Sequence, residues 1–285
     1  MRVLRIVAVA AALSFVGAPM AHALPPIGDP GAGNTGFTVL GGYDGSWLHY
    51  RETDSSGNVL DRDYGWLNGL DIEARFENRV LWTRLSADYL WSHDATYDGA
   101  ICSSAGCVPA KFSASERIAL YEADIGLKLL NVKTGTLTPY AGIGRRIWWR
   151  GVDGEKYSWY YAAIGLNYVW RTGKLTAGAD VAAALPFNMK LTTSVDGSYD
   201  AATFRLRDAL GVEVEVPFTY DVHKEYPDRG RVFLFLTPYY QHWGIKASDP
   251  VWMTSKGVPV AGEARYEPDS TANLYGIRVG LGVNF

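Results

Sequence analysis

The last segment of the chain sets the tightest constraint on the fold. Tyr275, Ile277, Val279, Leu281, Val283 and Phe285 alternate with Gly276, Arg278, Gly280, Gly282 and Asn284. Successive side chains of a strand point to opposite faces, so this segment predicts a strand with one apolar face and one face of glycine and polar groups. The pattern recurs upstream. Ala119, Tyr121, Ala123, Ile125, Leu127 and Leu129 oppose Leu120, Glu122, Asp124, Gly126 and Lys128. Leu70, Ile72, Ala74 and Phe76 oppose Asp71, Glu73 and Arg75. Leu81, Leu85, Ala87, Tyr89 and Trp91 oppose Arg84, Ser86 and Asp88. Leu206, Leu210, Val212, Val214, Val216 and Phe218 oppose Arg205, Arg207, Glu213 and Glu215.

Further strands fit at about 36–50, 137–150, 157–170, 174–185 and 231–245. The total is about ten, within a range of eight to twelve, and each is long enough to cross a bilayer when tilted. With the first strand entering from the periplasm, the outer connections fall near 51–63, 92–114, 151–156, 186–203 and 246–269. The opposite connections fall near 77–79, 131–136, 171–173 and 219–230, and most of these are shorter. Two architectures can bury such strands. A soluble sandwich or lipocalin-like barrel turns its apolar face inward. A membrane barrel turns it outward to lipid and encloses the charged face. The charges on the alternate faces, the loop asymmetry and the aromatic strand ends favour the second. The fold class expected is all-β: a closed, antiparallel, up-and-down transmembrane β-barrel.

The start of the chain reads as an export signal. Arg2 and Arg5 precede an apolar run from Ile6 to about Val16, which ends in Ala21-His22-Ala23, a small-x-small cleavage site. The run is shorter than the roughly 20 apolar residues a spanning helix needs. Residues 1–23 are expected as a cleaved signal peptide, 24–35 as a periplasmic lead-in and 36–285 as the barrel. The location that follows is the outer membrane of a Gram-negative cell. The mean hydropathy of −0.07 resembles that of a soluble protein. In a barrel, however, lipid-facing and lumen-facing residues cancel in the average. The net charge of −3 argues against nucleic-acid binding. Cys102 and Cys107 are the two cysteines, and in an exported chain they are expected to form one small-loop disulfide.

A barrel of this size has little interior to spare. The inward faces would carry a lattice of ion pairs: Asp71, Glu73, Arg75, Arg84, Asp88, Glu122, Asp124, Lys128, Arg205, Arg207, Glu213, Glu215 and Arg278, with Arg146 and Asp180 beside them. Gly142, Gly144, Gly165, Gly178 and Gly211 would make room for long side chains. Trp148, Trp149, Trp159, Tyr160, Tyr161, Tyr168 and Trp170 lie near predicted strand ends and read as interfacial anchors.

Several stretches resemble a broad group of small proteobacterial outer-membrane β-barrel proteins. They include Tyr121 to Leu130, Leu137 to Trp148, Tyr161 to Leu166, Thr237 to Ile245 and Glu267 to Phe285, with Thr96-Tyr97-Asp98-Gly99 before them. The resemblance runs from about residue 90 onward and implies fold and location, not an activity. It also implies that Phe285, closing an alternating strand, is a sorting signal read by the barrel assembly machinery. Other partners implied are outer-membrane lipid and lipopolysaccharide.

Three functional classes follow: a structural or surface-interaction barrel with a filled lumen, a narrow porin or small-solute channel, and a lipid- or peptide-hydrolysing enzyme. The first is preferred because binding usually resides in loops on a rigid scaffold. For the enzyme, His49, His93 and His242 fall near outer strand ends, with Asp98 or Asp249 as possible orienting groups. Ser92-His93-Asp94 is contiguous, but strand neighbours point to opposite faces and cannot form a triad. Omptin proteases, also ten-stranded, set an acidic pair against an Asp-x-His pair at the outer rim. Here Asp61-Arg62-Asp63 falls in the first outer loop, whereas Asp221-Val222-His223 falls in an inner turn. No tight ligand spacing calls for a metal, and no motif calls for a cofactor. Asp249, Glu263, Glu267 and Asp269 form an acidic outer loop for which a solvated role is preferred over calcium.

Overall fold

The computed structural model describes residues 36–103, 106–132, 135–152, 154–193, 199–222 and 231–285. The expected signal peptide and lead-in, and His223, lie outside the described residues. The strands are β1 (Gly36–Thr53), β2 (Val59–Glu77), β3 (Leu81–Ser103), β4 (Gly106–Leu127), β5 (Leu130–Val132), β6 (Gly135–Arg150), β7 (Lys156–Thr172) and β8 (Leu175–Thr193). They continue as β9 (Ala202–Arg205), β10 (Arg207–Glu215), β11 (Phe218–Asp221), β12 (Arg231–Lys246), β13 (Val251–Ser255), β14 (Val258–Arg265) and β15 (Asp269–Asn284).

Ten staves close the wall, because β9, β10 and β11 are pieces of one interrupted stave, and β5 only extends the turn before β6. Each stave pairs antiparallel with its neighbours, and β15 pairs with both β12 and β1. Phe285 and Phe37 exchange backbone hydrogen bonds at the seam. This is the closed up-and-down antiparallel barrel that the alternation predicts.

The outward face is apolar through the inner half of the strands. Ile72, Leu85, Ile125, Ile143, Leu166 and Leu281 each expose more than half their surface. A soluble protein would bury such a band, whereas hydrocarbon is its natural solvent. Aromatic residues border the band. On β1, Phe37 lies below and Trp47 above, separated by about the ten residues a tilted strand needs to cross a bilayer.

The outer connections differ from the loops expected. The strands run on, and β3 and β4 hold 23 and 22 residues, roughly twice what a crossing requires. Most of the sequence assigned to outer loops is therefore paired sheet standing beyond the membrane band. Asp54 shows how such a hairpin closes: its carboxylate accepts from Ser56 N and Asn58 N, both at 2.8 Å, and Gly57 takes φ 84°. Cys102 and Cys107 are register partners at the tip of the β3–β4 hairpin, and Cys107 is disulfide-bonded.

The stave predicted over 205–218 is broken twice. Pro217 has no N–H to donate and separates β10 from β11. A register shift between Arg207 and Ala209 reverses the phase of alternation. Leu206 above the shift and Gly211, Glu213 and Glu215 below it all face inward. Arg205 and Arg207, expected in the lumen lattice, are instead exposed on the outer wall, because one added residue moves every following side chain to the other face.

Two further expectations are corrected. Trp148, Trp159 and Tyr161 are not interfacial anchors; they are buried inside the barrel. The glycines make room chiefly for rings. A Cβ on Gly165 would strike the Tyr140 ring from the neighbouring strand, and one on Gly276 would strike Tyr239.

Leu281→Arg, in the middle of the outward band, is expected to destabilise the inserted barrel by about 2–4 kcal/mol, read as a lower urea midpoint for folding into vesicles.

Candidate functional site

The inside of the barrel is stacked in three layers, each organised by a buried arginine. The lowest holds Arg84 and Arg278. Arg84, inward on β3, meets Asp124 at 2.7 Å and Glu122 at 2.8 Å, with Asp180 and Glu215 at 4.0 Å. Arg278, inward on β15, meets Asp44 at 3.3 Å, Asp88 at 3.4 Å, Glu213 at 3.8 Å and Asp71 at 3.9 Å, and pairs closely with Glu215. Its guanidinium stacks 4.3 Å from the centre of the Tyr239 ring, whose hydroxyl donates to Asp44. Glu73 pairs with Arg75, and Lys128 donates to Glu77 at 2.6 Å near the inner end. Asp71, Glu73, Arg84, Asp88, Asp124 and Glu215 are buried. Asp44 belongs to this layer too. Its inward position is hard to read from the sequence because Gly41, Gly42 and Gly45 dilute the alternation at that point of β1.

The middle layer is an aromatic and aliphatic core. Leu48, Leu67, Leu90, Ile118, Leu120 and Leu274 pack with Trp159, Tyr161 and Trp243. Arg146 lies fully buried within it. Among the described residues no carboxylate comes within 4.0 Å of Arg146. Its Nη1 donates to Gln241 at 2.6 Å, and its guanidinium lies 5.5 Å from the Trp243 ring and 5.7 Å from the Trp159 ring. Ring faces replace water around this cation.

The third layer fills the outer mouth. Arg150 donates to Asp63 at 2.6 Å, Glu155 at 2.7 Å and Glu52 at 2.9 Å, with Asp61 at 3.6 Å, and stacks 4.2 Å from the Tyr50 ring. Trp148 Nε1 donates to Glu116 at 2.6 Å, and the Tyr157 hydroxyl donates to Glu267. Burial, then the nearby Glu52 and Glu155 charges, push the Glu267 carboxyl well above its usual range. The sequence signal for this layer was present. Asp44, Ser46, Leu48, Tyr50 and Glu52 alternate without a break, so the strand continues past the outer connection expected at 51–63.

The β13–β14 hairpin stands at this outer end, in the connection between β12 and β15. Met253 is fully buried against the core. Asp200 fastens the turn: its carboxylate accepts from Thr254 Oγ1 at 2.7 Å, Gly257 N at 2.8 Å and Lys256 N at 3.1 Å. The Gly257, Thr254 and Lys256 bonds hold its carboxyl below the usual range.

The rim residues proposed for catalysis do not assemble. His49, Asn273 and His242 are register neighbours on the outward wall, and His242 Nδ1 lies 2.9 Å from Asn273 Oδ1. His93 is exposed on β3, and Asp94 accepts from Ser92 at 3.0 Å. Asp98 pairs with Lys111 at 3.2 Å. Asp61 and Asp63 sit at the outer end of β2, while Asp221 pairs with Arg231 at the inner end. Asp221 thus lies at the opposite end of the barrel from Asp61 and Asp63. In the acidic outer loop, Asp249 pairs with Arg207, Asp269 pairs with Lys246, and Glu267 faces the mouth. Among the described residues no group of three His, Cys, Asp or Glu is placed to hold a metal ion.

The fold and its filled interior define the class: a ten-stranded barrel of the outer-membrane type. No protein-family model matches the sequence, and a comparison with curated proteins finds no match. Among solved structures, the outer membrane protease OmpT of Escherichia coli is similar over 89% of this chain and 98% of its own, with a TM-score of 0.55 and 12% identity. The translocator domain of the autotransporter NalP from Neisseria meningitidis aligns at a TM-score of 0.37 and 10% identity, over 99% of this chain and 96% of that one. At 12% identity, the likeness to OmpT is one of fold.

Arg278→Met is expected to cost roughly 3–5 kcal/mol, because it leaves Asp44, Asp71 and Asp88 buried without their cation. Arg207→Gln on the outer wall should leave the urea midpoint unchanged.

Asp200→Asn is expected to loosen the 251–265 hairpin, read as faster amide exchange confined to that segment. The carboxyl of Asp200 is depressed in the folded state. Its contribution is therefore present above the ordinary Asp value near 4 and is lost as pH falls below it. Exchange in wild-type protein should approach that of the variant on acidification through this range.

Proposed function

We propose that this chain is an outer-membrane barrel sealed along its length, serving as a scaffold that presents a rigid extracellular sheet. The supporting observation is the continuity of the filling. The ion lattice, the aromatic core and the Arg150 cluster follow one another along the interior among the described residues. The cavity beside Arg84 and Arg278 holds about 20 Å³, room for roughly one water molecule. A porin leaves an aqueous lumen and uses more strands.

The projecting hairpins supply the surface such a scaffold would present. A sheet held in register by a closed barrel loses little conformational freedom when a partner binds it. The cell outer membrane is the location that fits the apolar band, the girdles and the fold.

Single-channel recording in planar bilayers tests the reading. Protein verified as folded by its heat-dependent gel migration is expected to give no steady conductance. A reproducible open level in that same sample would replace the sealed scaffold with a narrow channel.

A further inference from the structure

We propose that the outward wall formed by β4, β6, β7, β8 and β9 is a binding site for a membrane glycolipid whose headgroup carries two or more phosphates. The proposal rests on the reading of this chain as an outer-membrane barrel.

Five cations face outward on these neighbouring staves: Arg117, Arg145, Lys156, Lys190 and Arg205. Register places them side by side. Arg117 is level with Trp149, which is level with Lys156. Lys190 is level with Ser158 on one side and Arg205 on the other, and Arg145 is level with Tyr160. The outward positions among them are Ala119, Tyr121, Ile147, Ser158, Tyr160 and Thr203, none of them acidic. Among the described residues none of the five cations has a carboxylate within 4.0 Å. Three other outer-wall cations are each paired with an acid: Lys111 with Asp98, Arg207 with Asp249 and Lys246 with Asp269.

Beneath the cations the wall has the profile of an amphiphile. Lys156 lies 5.6 Å from the Trp149 ring, Arg145 lies 5.2 Å from the Tyr160 ring, and Tyr160 stacks on Phe187 at 6.0 Å. Below them Ile143, Ile164 and Val181 are exposed. Apolar, aromatic and cationic tiers thus follow one another toward the outer end, matching acyl chains, a sugar or glycerol region and an anionic headgroup. Arg145 Nε has no hydrogen-bond partner. Guanidinium groups recognise phosphate by paired hydrogen bonds, and ammonium groups add point charge. Width decides the kind of lipid. Four interstrand steps of about 4.8 Å set the patch at roughly 19 Å, too wide for a single phosphate and suited to a headgroup with several.

The test uses the full chain folded in phosphatidylcholine vesicles and then extracted in mild detergent. Heat-dependent gel migration is read first. Failure to insert at that step would overturn the membrane reading itself, before any anionic lipid is added. Native mass spectrometry then reads occupancy with a bis-phosphorylated, acylated diglucosamine lipid, its dephosphorylated form, phosphatidylglycerol, or inorganic phosphate. Occupancy by the bis-phosphorylated lipid is expected at lipid levels at least tenfold lower than for the other three. K156Q/K190Q/R205Q should weaken it at least tenfold, and R51Q/R62Q, on the far side of the barrel, should stay within twofold. Equal binding of the dephosphorylated lipid, of phosphatidylglycerol or of free phosphate would overturn the proposal. So would a triple variant that inserts normally and binds as the wild type does.

Discussion

Everything in this molecule depends on one constraint: in hydrocarbon, each backbone N–H and C=O must find a partner within the protein, because no water is there to take its place. A sheet meets that condition only when it has no edge, so β15 must reach β1 as well as β12. Closure at ten staves then fixes a narrow interior. The side chains that alternation sends inward have to fill that space among themselves, and their layering is the consequence of a closed wall drawn around a mixed set of residues.

The filling resolves a conflict between charge and burial. Three layers each bury arginine, and burying an ion is costly unless it is paired and hydrogen-bonded. Two solutions appear side by side. Arg84, Arg278 and Arg150 are each held by several carboxylates, shared so that one acid, Glu215, serves both Arg84 and Arg278. Arg146 has no such acid and is held by Gln241 and two indole faces. Rings reach these positions because the adjacent strand often carries glycine, which lets a tyrosine lie flat across the wall. Glycine and aromatic residues, both abundant in the chain, are therefore two halves of one packing device.

The outer half of the barrel follows a different logic. Beyond the membrane band the strands continue as paired sheet, and water can serve their outward face. Charge is accordingly allowed on that face, and it is distributed unevenly. Arg117, Arg145, Lys156, Lys190 and Arg205 gather on neighbouring staves without a paired acid among the described residues, while Lys111, Arg207 and Lys246 are each paired. The β13–β14 hairpin has its turn fastened by Asp200 and its Met253 buried in the core.

The sequence by itself determined the strands, their inward and outward faces in most staves, and the closed barrel, because a two-residue period is a local property that survives any tertiary context. Asp71, Asp88, Glu122, Asp124 and Arg278 were legible as lumen residues for that reason. What only the tertiary structure decided was phase, height and partner. A single shift near Arg207 moved Arg205 and Arg207 to the outer wall, since periodicity carries no record of an inserted residue. The inward burial of Trp148, Trp159 and Tyr161 depended on which strand stood opposite and where its glycines fell. The Arg150 cluster gathers Glu52 from β1, Asp63 from β2 and Glu155 beside β7. No spacing along the chain can announce such a meeting, because it is created by closure of the wall.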